Sequence, residues 1–141
     1  MRVSLRVGVA LLLLAALTVG GCGSEEADSP SELLVGTWET DLLGVIEVFN
    51  EDGTYGVGHN VDLASGDDVS QAELGFGTWS IDGSVLTRSM DPESPNCPGM
   101  MGTYEIEISD DGDRVAVTVV SDDCPTQRKD FGSGLSRYMD P

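Results

Sequence analysis

Three Asp-Gly pairs, Asp52-Gly53, Asp82-Gly83 and Asp111-Gly112, each stand between two apolar-rich runs. A tight hairpin needs positive φ at its centre, and Asp-Gly supplies it with little steric cost, so each pair marks an antiparallel turn. Reading outward from the turns predicts six strands: about 44–50 with 53–59, 74–81 with 84–90, and 102–109 with 114–120. The third pair alternates most clearly. Tyr104, Ile106 and Ile108 share one face, Thr103, Glu105 and Glu107 the other, and Val115, Val117 and Val119 answer on the partner strand. A strand at 36–42 precedes this set and one at about 133–139 follows it. Gly-Thr-aromatic recurs at Gly36-Thr37-Trp38, Gly53-Thr54-Tyr55, Gly77-Thr78-Trp79 and Gly102-Thr103-Tyr104. The fold class expected is all-β: an antiparallel up-and-down β-barrel of about eight strands. Helix is expected in a single N-terminal turn over Pro30 to Val35, with Ser29 as cap and Pro30 at the first position.

The order of the turns sets the two ends of the barrel. In an up-and-down arrangement the three Asp-Gly turns fall at one end, and the long connections at about 60–73, 91–101 and 121–132 fall at the other. Cys97 and Cys124 lie in two of those long connections, where they could meet. A barrel of this size either fills with side chains or holds one small ligand.

Residues 1–21 differ from the rest. Arg2 and Arg6 precede an apolar run from Val7 to Val19 that contains no acid, the pattern of a secretory signal and too short for a membrane-spanning helix. The run ends Leu17-Thr18-Val19-Gly20-Gly21-Cys22, which resembles the bacterial lipobox: an aliphatic residue, small residues, then the cysteine that takes the lipid. Cys22 is therefore the expected lipidation site, and a membrane the expected partner through that anchor. Residues 22–30 are small, polar and acidic, and suit a flexible tether to a domain at 31–141. The expected location is the cell envelope, on the extracytoplasmic side.

The whole chain carries 7 basic and 25 acidic side chains, for a formal charge of −18. Both basic residues of the signal would leave with it, so the remainder is more acidic still. Such a charge argues against nucleic acid and anionic headgroups as partners. With Cys22 acylated, Cys97 and Cys124 form an even pair in an exported domain, most simply a disulfide closing a loop of about 28 residues. Metal ligation by the two thiols is the alternative. The sole histidine, His59, is remote in sequence, while Met90, Met100 and Met101 near Cys97 would suit copper. Packing in the loop is the plainer role for these methionines, and no metal is expected.

Leu34-Val35-Gly36-Thr37-Trp38 after a helical turn, with Arg137 in the last strand, resembles the lipocalin-like (calycin) pattern. The resemblance implies that Gly-x-Trp opens the first strand, that Trp38 plugs the closed end and that Arg137 stacks over it, closing the barrel. The stretch from Cys97 to Arg137 is also similar to small secreted bacterial lipocalin-like proteins. The Thr-Asp-Tyr motif of the kernel lipocalins is absent, and the chain is shorter than theirs.

No nucleophile elbow and no phosphate-cradling Gly-x-x-x-x-Gly-Lys is present, and no cofactor is expected. Imidazole-based catalysis would have to use His59. The abundant carboxylates sit in turns and at alternate strand positions, as on a solvated face rather than in a glycosidase pair. Asp110-Asp111-Gly112-Asp113 and Asp67-Asp68 offer hard oxygens but lack the spacing of a calcium loop. The expected function is non-catalytic binding or carriage of a small apolar ligand by a membrane-anchored lipoprotein. Phe76, Trp79, Tyr104, Ile106 and Val117 are the candidate wall residues. The alternative is a packed barrel that serves as an interaction or structural envelope protein without a small-molecule ligand.

Overall fold

The computed structural model describes residues 28–65 and 68–140. The signal segment 1–21, Cys22 and most of the tether lie outside the described residues. The chain runs α1 (Pro30–Leu34), β1 (Gly36–Thr40), β2 (Ile46–Phe49), β3 (Thr54–Gly58), α2 (Val61–Ser65), a 3-10 turn (Val69–Gln71), β4 (Gly75–Asp82), β5 (Val85–Met90), β6 (Met101–Ile108), β7 (Arg114–Asp122), α3 (Pro125–Phe131) and β8 (Leu135–Arg137). The eight strands form a closed antiparallel barrel in sequence order. Closure comes from β1 against β8, with Trp38 opposite Arg137 and Thr40 opposite Leu135.

Gly53, Gly83 and Gly112 all have positive φ, as the Asp-Gly hairpins require. These turns share one end of the barrel with α1. Ser29 caps α1 in a full capping box with Glu32, and Pro30 opens the helix. The opposite end, the mouth, carries the β1–β2 turn and the three long connections. Two of those connections contain helices where the sequence pattern suggests loop. Helices α2 and α3 have five and seven residues, too few turns to register as a 3.6-residue period. Local cues to α3 exist: Pro125 at its start, Arg128 and Lys129 in its last turn, and Gly132 just beyond.

Directly opposed residues share a face, so the register sorts inside from outside. Glu47 faces Val57, Phe49 faces Tyr55, Trp79 faces Arg88, and Leu86 faces Tyr104. Ile106 faces Val117 and Val115 faces Leu135. The interior cluster joins Leu34, Trp38, Phe49, Tyr55, Leu86, Met90, Tyr104, Ile106, Val115, Phe131 and Leu135. A smaller cluster lies outside the barrel, where Ile46 and Val48 pack under Ala64 of α2. The closed end and the middle of the barrel are thus filled with side chains, and the mouth decides what room is left.

Candidate functional site

The mouth is built from chain segments that are far apart in sequence. Cys97, in the β5–β6 connection, is disulfide-bonded to Cys124, the residue before α3, with a Cα–Cα distance of 5.7 Å. The bond holds α3 across the mouth, and Phe131 at its last turn is fully buried. Its ring meets Tyr104 edge-on at 4.7 Å between centroids and lies 6.4 Å from Phe49. Asp122 anchors the same corner: Tyr104 donates its hydroxyl hydrogen to Oδ2, and the Cys124 N–H donates to Oδ1 at 2.8 Å.

Beneath α3 sits a charged pair. Arg88 is fully buried, and its Nη2 lies 2.9 Å from Oε2 of Glu47, which is 2% exposed. The guanidinium carbon stands 4.3 Å from the Tyr55 ring centroid and 4.2 Å from that of Phe131, so the cation is held between two aromatic faces. Burial pushes the Glu47 carboxyl up to about 7, against the downward pull of Arg88. Burial likewise raises the Asp130 carboxyl, against smaller effects of the Thr40 hydroxyl and the Leu43 N–H.

Above this pair lies a cup of about 260 Å³, open at the mouth. Its apolar lining is Leu43, Val45, Val57, Leu74 and Met90; its polar lining is Glu47, His59, Asn96, Thr126, Gln127 and Asp130. Cys124 also lines it, so the disulfide is part of the wall. The volume exceeds the ~150 Å³ of a cavity that takes up benzene and falls just below the ~300 Å³ where ordinary ligand pockets begin. His59 stands at the rim with Nδ1 2.9 Å from Oε2 of Glu73.

The residues singled out in the sequence fall in three places. Trp38 and Arg137 meet at the closed end, with the guanidinium carbon 3.8 Å from the Trp38 ring centroid. Arg137 also donates to the carbonyls of Leu33, Val35 and Gly112, which ties β8 to α1 and to a hairpin turn. Trp38 donates from Nε1 to the Leu34 carbonyl at 2.7 Å. Tyr104 and Ile106 belong to the buried interior, with Trp79 and Val117 packed against it. Phe76 stands opposite Gly56, one position out of phase with the inward Gly75, Gly77 and Trp79, and is on the outer face. None of these five is among the residues lining the cup. Cys22 lies outside the described residues.

The charged residues of the mouth were not apparent in the sequence. Arg88 lies in phase with Leu86 and Met90, and Glu47 in phase with Val45 and Phe49. Opposite charges at apolar-phase positions of two strands are the signal that could have found them. Among the described residues, no group of three or more His, Cys, Asp and Glu side chains could hold a metal ion. In the Asp110–Asp113 turn, Asp111 Oδ1 already accepts from the Ser109 hydroxyl and the Asp113 N–H.

Comparison with protein-family models, with curated proteins and with solved structures finds no match for this chain.

Proposed function

We propose that this chain is a lipid-anchored, extracytoplasmic barrel of lipocalin-like type that binds one small, mainly apolar molecule at its mouth and performs no chemistry on it. The observation that carries the reading is the 260 Å³ cup, walled by Leu43, Val45, Val57, Leu74 and Met90 above an otherwise filled barrel. A concave, largely apolar site with a few convergent polar groups is the usual form of a small-molecule pocket. The Cys97–Cys124 disulfide supports an oxidising, extracytoplasmic setting. The lipobox-like run ending at Cys22 supports the anchor. Binding is favoured over catalysis because the lining is mainly apolar and its one cysteine, Cys124, is held in the disulfide.

Its rival, a packed interaction barrel, draws on the filled interior and on exposed Leu42 and Leu43 beside the mouth. Native mass spectrometry of the protein extracted from its own membrane separates the two. The binding reading expects a non-covalent adduct smaller than a fatty acid, lost when Val57→Trp fills the cup. An adduct-free protein whose cup methyl resonances ignore a small-fragment library would leave the packed barrel as the function.

A further inference from the structure

The buried carboxylates in and beneath the cup outnumber the buried cation beside them. Glu47, Asp122 and Asp130 are all at least nine-tenths buried, and Arg88 is the fully buried cation beside them. Arg88 is already engaged with Glu47, between Tyr55 and Phe131. Asp122 spends its oxygens on Tyr104 and the Cys124 N–H. Asp130 is different. It lines the cup, is 8% exposed, and its Oδ1 has no hydrogen-bond partner, although the Thr40 hydroxyl and the Leu43 N–H stand near the carboxyl. A buried carboxylate oxygen left without a donor is costly, and a native structure has reason to keep one only where something else supplies the donor.

We propose that the cup selects a small organic cation, an ammonium or amidinium group on a compact apolar body, with Asp130 as its counter-charge. This rests on the reading of the cup as a binding site and names the class of ligand it takes. Glu47 is paired through both oxygens with Arg88, so a donor arriving from the cup meets Asp130 as the carboxylate without an ion-pair partner. An anion would meet the Asp130 and Glu47 carboxylates, and among the described residues no unpaired cation lines the cup to receive it. The one basic side chain in the lining is His59, which pairs with Glu73. A neutral donor could satisfy Asp130 Oδ1 but would leave the excess negative charge unbalanced, whereas a cation brings the donor and the opposite charge together. The apolar body follows from Val45, Val57, Leu74 and Met90, and its size from the volume, which admits little more than one substituted ring.

Three probes of one shape test this: benzylamine, benzyl alcohol and benzoate, titrated into the oxidised protein at mildly alkaline pH and followed by the methyl resonances of Val45, Val57, Leu74 and Met90. Benzylamine is expected to bind at least about tenfold more tightly than benzyl alcohol, and benzoate not to bind. Asp130→Asn should remove that preference. Equal affinity for amine and alcohol, or any preference for benzoate, overturns the cationic class while the binding site stands. Silence of all four methyl groups toward all three probes overturns the binding site itself. A full amine preference retained by D130N overturns the assignment to Asp130. Should D130N fail to fold, the wild-type series still decides the ligand class.

Discussion

Nη1 of Arg137 occupies the space that a side chain on Gly36 would need: a Cβ there would stand 2.6 Å from it. Gly36 also has φ +131°, a conformation that residues with a side chain rarely adopt. The glycine two residues before Trp38 thus clears the path by which the guanidinium reaches the indole. Gly36→Ala is expected to destabilise the barrel by about 1–3 kcal/mol. Arg137→Ala should cost about 2–4 kcal/mol through the lost stacking and hydrogen bonds. The two losses should be less than additive, because part of the cost at Gly36 is the collision with Arg137. Denaturant melts of the single and double variants measure this, and strict additivity would reduce Gly36 to a purely conformational role.

The buried Glu47 predicts a pH dependence of stability. Its carboxyl is raised from the ordinary 4.5 to about 7 in the folded protein, so the folded state holds a proton there that the unfolded state gives up. The stabilisation is therefore complete below about pH 4.5 and is lost as the pH rises to about 7. The loss is confined to this interval, since outside it the folded and unfolded states hold the same number of protons at Glu47. Glu47→Gln should flatten that part of the curve, against a background of general repulsion between acidic groups. Urea unfolding across this range supplies the comparison. Parallel curves for the two proteins would mean that Glu47 is already ionised beside Arg88.

Removing the disulfide should loosen the mouth before the rest of the barrel. Cys97 and Cys124 are 27 residues apart, and a loop of that length corresponds to about 3–4 kcal/mol in the chain-entropy treatment. A protein with both cysteines changed to serine is expected to lose that much stability. Amides of Thr126 to Phe131 should exchange faster than those of β4 to β6. Uniformly faster exchange would show instead that α3 and the strands open as one unit.

The anchor can be tested apart from the barrel. Cys22→Ala should shift the protein from the membrane fraction to the soluble fraction after secretion, with the Cys97–Cys124 bond intact. Retention of the variant on the membrane would count against acylation at Cys22.

Much of the barrel was legible because its signals are local. Three Asp-Gly turns set the hairpins, period-two runs such as Tyr104-Glu105-Ile106-Glu107-Ile108 set the faces, and strand order followed from the short turns. Trp38 and Arg137 stand at opposite ends of the domain, yet closure of β1 on β8 made their meeting a consequence of strand count. The phase of β4 was harder to read. Gly75 and Gly77 carry no side chain, so the stretch 75–79 shows an aromatic at 76 and another at 79 without indicating which one faces inward.

The cup's chemistry lay beyond the reach of local pattern. Arg88 and Glu47 are 41 positions apart, and Asp130 reaches them from a helix too short to show a period. A charged residue at an apolar-phase position reads as a lapse in alternation until its partner across the barrel is known, because burial of a charge depends on what stands opposite it. The sequence by itself determined the strands, their order, the two ends of the barrel and the pair of cysteines that could bridge the mouth. Only the tertiary structure decided that α3 fills the middle of the barrel with Phe131, and that the space left above it is small and acidic. Volume and charge balance are sums over residues that the chain does not bring together until it folds.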